Sequence, residues 1–299
     1  MTVRVRIPVF EEAAQRLPSR SRRQHVVLRR LTRSPSAVVG GTIVTLFLVV
    51  GLISPVYTPH DPLEQDLSAS LQGPSLHHWF GTDEFGRDIL SRIMAGTTTT
   101  LAIATLGVAI GLALGLLIGI LSGYLRGWVD MVLMRLIEIQ MAIPGIILAI
   151  AVVAVAGVGF RNLIIAVGIF SIPGFARITR AAVLSTRSAD YVEAALGLGA
   201  SHARIVLRHV MPNSLAPIIV QTSLRTATAI LVAASLSFLG LGAQPPSPEW
   251  GAMLSASRDH LQSSPHVAVF PGLAVALVVL GFNLLGDGLR DALDMRLRL

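Results

Sequence analysis

Residues 190–212 read DYVEAALGLGASHARIVLRHVMP, the longest polar-rich interruption between apolar spans in the second half of the chain. Ser188 stands where it would cap a first helix running through Tyr191, Glu193 and Ala195. Gly197 and Gly199 would end that helix, because glycine adopts the left-handed backbone a helix stop prefers. Ser201 would cap a second helix, with Ile205, Val206 and Val210 on one side and Arg204 and Arg208 four apart on another. Pro212 is expected to stop it. The product is a compact knuckle of two short helices; the bland alternative is a basic loop between spans.

The spacing is more specific than the composition. Glu193-Ala194-Ala195, three residues, Gly199, then twelve residues to Pro212 resembles the EAA loop of ABC importer permeases. The resemblance implies a coupling helix on the cytoplasmic side that enters a groove of an ATPase subunit. Its coupling residues here would be Glu193, Ala194, Ala195, Gly199, His209 and Pro212. A common form of the pattern has Ile and Leu before the last proline; this chain has His209-Val210-Met211-Pro212. A histidine at that place resembles the peptide-importer branch.

Outward from the knuckle, apolar segments of bilayer length recur. Upstream they cover Ser36–Val56, Leu101–Tyr124, Leu136–Ala156 with Pro144 as a kink, and Asn162–Ile178 with Pro173-Gly174 near its end. Downstream they cover Ala216–Leu241 and Val267–Gly286. In the second span Gly107, Gly111, Gly115, Gly119 and Gly123 recur every four residues and draw a ridge down one helix face. Such ridges let backbones approach closely in lipid, inside one subunit or between subunits. The fifth span places Gln221, Arg225, Thr228, Val232 and Ser235 on one face. An arginine within a span marks a polar path, or else snorkels to the interface. With Asn283 of the sixth span, Gln221, Arg225 and Thr228 are the candidate lining of a translocation path.

The loop Tyr57–Arg92 carries HHWFGTDEFGRDILSRIMAG at residues 77–96. Gly81 and Gly86 make turns, and Asp88 can cap a helix through Ile89, Ile93 and Met94. The run resembles the GTDxxGRDxxSR segment of oligopeptide and dipeptide permeases. His77 and His78 project differently on regular elements and have no obvious further ligand, so no metal is expected there. Residues 236–254, LSFLGLGAQPPSPEWGAML, and 270–298, FPGLAVALVVLGFNLLGDGLRDALDMRLR, resemble the C-terminal stretches of the same family.

Composition sets the class. Of 299 residues 53% are hydrophobic and 14% charged, with mean hydropathy +0.68, which points to a polytopic membrane protein. The formal net charge is +7, all 24 basic residues are arginine, and there is no cysteine. Without lysine a P-loop is impossible, and neither HExxH nor GxSxG occurs, so catalytic chemistry is not expected. Arg4, Arg6, Arg16, Arg20, Arg22, Arg23, Arg29, Arg30 and Arg33 crowd the N-terminal tail, which does not read as a signal peptide. Val26, Val27 and Leu31 would let part of it lie as a helix on the inner surface. Six spans put both termini on one side, which then holds nineteen of the arginines, so that side is read as cytoplasmic.

The expectation is an all-α polytopic membrane protein with six transmembrane helices and the type I ABC importer permease fold. Its parts are a basic tail (1–35), a first helix with a long outer loop (36–96), and a five-helix domain (97–299) containing the coupling loop (188–213). The resemblance implies the second permease of a bacterial peptide importer in the cytoplasmic membrane. It would work with a second homologous permease, two ATPase subunits and an extracytoplasmic binding protein, and without nucleic acid. ATP and Mg would sit on the ATPase subunits, and this chain would hold no cofactor. Nickel chelates, haem or other peptide-like solutes are alternative cargoes. A secondary transporter is the rival, with Glu138 as its only candidate coupling carboxylate.

Overall fold

The computed structural model describes residues 29–293, and all regular elements in that range are helical. The expected surface helix around Val26 and Val27 lies outside the described residues. The first transmembrane helix, α1, spans Pro35–Ile53, with Ser34 as N-cap. The second, α2, spans Ile89–Leu125. It begins well before Leu101 because Asp88 caps it: Asp88 Oδ2 accepts from Ser91 N at 2.8 Å.

The expected third span is not one kinked helix. It is two helices, α3 (Gly127–Ala142) and α4 (Gly145–Ala156), bent by 91° at Ile143-Pro144. Proline forces the residue before it into extended backbone, and Ile143 has φ −88 and ψ 127. Gly145 next to it lets the ring of Phe170 close over the corner. The fourth span is α5 (Phe160–Arg187), which carries Pro173 inside it.

Helices α2 and α5 form the most extensive helix pair. The five ridge glycines of α2, Gly107 to Gly123, are buried along it. A Cβ on Gly107 would meet Val167 Cγ1 at 2.6 Å, one on Gly111 would meet Ser171 Cβ at 2.5 Å, and one on Gly119 would meet Thr179 Cβ at 2.6 Å. Gly115 faces Phe175 and Ala176, and Gly123 faces Val183. The ridge therefore packs within this chain. Partners on both helices ascend together, from 107 with 167 to 123 with 183, so α2 and α5 run parallel. Parallel neighbours require the chain to return across the bilayer between them, and only α3 and α4 lie there. The bent pair therefore counts as a net crossing, and the described residues cross six times.

The remaining elements are α6 (Asp190–Gly197), α7 (His202–Ile205), α8 (Met211–Phe238), α9 (Trp250–Ala256) and α10 (His266–Leu293). α10 runs antiparallel to α1: a Cβ on Gly288 would strike the Ala37 backbone, and one on Gly281 would meet Ile43 Cγ2 at 2.7 Å. With six crossings, the start of α1, the knuckle and the end of α10 lie on one side of the membrane. The α1–α2 loop and α9 lie on the other. There Trp250 is fully buried, its Nε1 donating to Ile93 O at 3.1 Å, and Glu249 caps α9 through Gly251 N (3.0 Å) and Ala252 N (2.8 Å).

Candidate functional site

The knuckle is built from α6, a turn, and α7. Gly199 turns the chain with φ +81, and no atom stands within 4 Å of where its Cβ would be. Ser201 caps α7, accepting from Arg204 N at 3.4 Å. Ser188 does not cap α6. Its hydroxyl donates back to Leu184 O and Ser185 O (3.2 Å each) and so closes the end of α5 instead. Nor does Pro212 stop the second helix. Val206–Val210 form a π turn, and Met211–Phe238 continues directly from it. The wider turn resets the register so that Pro212 falls in the first α-helical turn of α8, where a missing N–H is tolerated.

The knuckle is fastened to the ends of α2 and α5. Val192, Ile205 and Val210 are fully buried in a small core with Val183 and Tyr124. Tyr124 Oη lies 2.7 Å from His202 Nδ1. Arg187 donates to Tyr124 O, and its guanidinium lies 5.1 Å over the Tyr124 ring. On the same side Asp130 of α3 takes both Nε and Nη2 of Arg180 at 2.6 Å. The other face of the knuckle is open. Glu193, Ala194, Gly199 and Pro212 are exposed, Ala195 and His209 are half-buried, and Leu198 is 90% exposed. No ion pair engages Glu193 among the described residues.

Gln221, Arg225 and Thr228 are half-buried on one face of α8. The Arg225 guanidinium lies where a side chain on Gly174 would be, in the concavity that Pro173-Gly174 leaves on α5. Arg225 is the fifteenth residue of α8, about 21 Å along its axis from Met211. It has no counter-ion among the described residues. Asn283 is exposed on α10, and no hydrogen bond joins it to this group. Further along the face Val232 is buried in the core and Ser235 bonds its own turn, donating to Leu231 O at 2.8 Å. The polar strip therefore ends near Thr228.

On the opposite side, the GTDEFGRD loop is an ion-pair knot. Asp83 accepts from Arg87 Nε at 2.7 Å and from Phe85 N and Arg87 N, and lies 3.4 Å from Arg92 Nε. Burial raises the Glu84 carboxyl above its ordinary range. The expectation that His77 and His78 lack a further ligand is corrected here. Folding of the loop returns His60 to them, with ring centroids 5.0 and 4.7 Å away. Sequence reading missed His60 because nothing local ties it to residues so far along the loop. The wedge of Glu249 and Trp250 under α2 was missed for the same reason.

This architecture, with an exposed knuckle rooted on a six-crossing helical bundle, defines the permease class of ABC importers. Solved structures of that class are similar: inward-facing conformations of the MetNI methionine ABC transporter (TM-score 0.58, 19% identity, 69% of this chain and 97% of that one). An amino acid ABC transporter solved with histidines gives a TM-score of 0.53 at 19% identity, over 67% of this chain and 93% of that one.

The chain belongs to the family described as binding-protein-dependent transport system inner membrane component, whose model matches residues 115–299. A second model, the N-terminal TM domain of oligopeptide transport permease C, matches residues 24–74. Among relatives, the dipeptide transport system permease protein DppC of Alkalihalophilus pseudofirmus is 47% identical, over 90% of this chain and 89% of its own. The glutathione transport system permease protein GsiD of Shigella flexneri is 51% identical, over 92% and 91%.

Proposed function

We propose that this chain is one of two membrane-spanning subunits of an ATP-driven peptide importer in a bacterial cytoplasmic membrane. The observation that carries the reading is the knuckle: exposed on one face, rooted on α2 and α5 on the other, and continuous with α8. A groove closing on the exposed face would shift α8, which bears Arg225, against α5, which bears the Gly174 notch. The partners are a second permease, two ATPase subunits that hold ATP and Mg, and a binding protein on the far side. The chain itself carries no catalytic site. Glu193, Ala194, Ala195, Gly199, His209 and Pro212 meet the ATPase, and differential contact with its open and closed states supplies the shift in equilibrium.

Charge supports the orientation. The described arginines on the knuckle side include Arg126, Arg177, Arg180, Arg187, Arg204, Arg208 and Arg290, against Arg87, Arg92, Arg161 and Arg258 on the other. A reporter active only in the cytoplasm is expected to work when fused after Arg187 or Leu299 and to fail after Gln262. Activity after Gln262 would reverse the orientation.

Peptide cargo is supported by the dipeptide and glutathione permeases among the relatives. A secondary transporter is disfavoured because Glu138 is exposed and paired with Arg135 at 3.2 Å. Gln221, Arg225, Thr228 and Asn283 are proposed to face the path. Vesicles holding the reconstituted complex should take up labelled dipeptides or glutathione only with ATP. Arg225→Ala is expected to lower uptake or change the order of preference among peptides while the complex stays assembled. Absence of ATP-dependent peptide uptake, with uptake of a nickel chelate or haem instead, would move the cargo to those classes.

A further inference from the structure

The α1–α2 loop holds a cluster that neither the coupling knuckle nor the polar face of α8 uses. One nitrogen from each of His60, His77 and His78 lies within 4.8 Å of the others. His77 Nδ1 and His78 Nε2 are 3.3 Å apart. Two nitrogens on one tetrahedral zinc, each bonded at about 2.0–2.1 Å, stand about 3.3–3.4 Å apart. The far nitrogen of His78, Nδ1, is 3.0 Å from Asp88 Oδ1. A carboxylate behind a ligating imidazole fixes its tautomer and turns the other nitrogen outward.

Asp88 is held for that task. It is 3% exposed, and its second oxygen is occupied by Ser91 N at 2.8 Å and Ser91 Oγ at 2.7 Å. His60 Nδ1 is buried and makes no hydrogen bond, standing 3.7 Å from Asp88 Oδ1. A buried imidazole nitrogen without a hydrogen bond is costly, so the His60 ring has polar capacity that the protein around it leaves unused. The backbone fixes the same geometry. His60 N donates to Ser91 Oγ at 2.9 Å, and His78 N donates to Ser75 Oγ at 3.0 Å. His77 is exposed, leaving one side of the cluster open to water.

We propose that His60, His77 and His78 bind one divalent transition-metal ion of the zinc class, with Asp88 orienting His78 and water as the fourth ligand. Three neutral imidazoles suit zinc, copper and nickel, not calcium or magnesium. The ion ties both arms of the loop to the first turn of α2.

The test uses the purified full chain in lipid nanodiscs, stripped with a chelator and titrated with zinc and, separately, with cobalt. One equivalent of zinc per chain is expected, with the visible bands of tetrahedral cobalt and a raised melting temperature. His77→Ala is the informative variant, because an exposed residue is removed without threatening the fold. It should weaken zinc binding at least tenfold and erase the cobalt bands. A triple variant, with His60, His77 and His78 changed to Gln, sets the background. The proposal is overturned if wild type binds no more zinc than the triple variant, or if His77→Ala binds as wild type does. Calcium or magnesium competing at concentrations equal to zinc would overturn it as well.

Discussion

Gly119→Ala is expected to destabilise the folded chain by about 1–3 kcal/mol and to cut the yield of monodisperse protein several-fold. By propensity alone the change should help, since alanine is better than glycine in a helix interior by about 1 kcal/mol. Packing reverses the sign. The new methyl would meet Ala176 O at 2.6 Å and Arg180 N at 2.9 Å, backbone atoms that cannot move unless α2 and α5 separate. Gly123→Ala is expected to be milder, because its nearest neighbours include the Val183 side chain at 2.9 Å. Gly111→Leu and Gly115→Leu should leave little assembled protein. Size-exclusion profiles and thermal melts in nanodiscs provide the measurement. Normal yield and melting for all four would show that α2 and α5 do not pack along this ridge.

At the knuckle, Gly199→Val should separate conformation from contact. A side chain there meets nothing, so the whole effect comes from the left-handed backbone, which costs an ordinary residue about 1–2 kcal/mol. That corresponds to roughly a tenfold loss in affinity for the ATPase subunits. Gly199→Asn should be close to wild type, because asparagine tolerates that conformation. Glu193→Ala removes an exposed carboxylate that has no ion-pair partner among the described residues. It should leave melting unchanged while lowering substrate-stimulated ATP hydrolysis in the reconstituted complex. Wild-type ATPase capture and stimulation in both Gly199→Val and Glu193→Ala would reduce the knuckle to a connecting loop.

Much of this molecule is legible in its sequence because lipid imposes strong rules. Apolar length gave the spans, and a glycine every fourth residue gave the α2 ridge before its partner was known. What stayed hidden depends on geometry that composition does not encode. Pro144 signals a break but carries no angle, and 91° arises from Ile143, Pro144 and Gly145 together. Pro212 reads as a stop by every local rule, yet a π turn upstream moves it to a position where it is harmless. Ser188 could satisfy either helix it adjoins, and only the fold decides that it closes α5. At the polar face the sequence supplied Arg225 but not the notch at Gly174 that receives it. Asn283 shared the chemistry of that face without sharing its place.

The absence of a loop between the knuckle and α8 has a consequence for leverage. A flexible joint after Val210 would let the knuckle swivel without disturbing the membrane. A continuous helix makes the knuckle the short arm of a crank and α8 its long arm. Arg225 lies fifteen residues beyond Val210, about 22 Å along the shaft. At that radius a tilt of about 5° carries the guanidinium sideways by about 2 Å. That is comparable to a hydrogen-bond length, enough to make or break a polar contact of the guanidinium while the base of the crank scarcely moves.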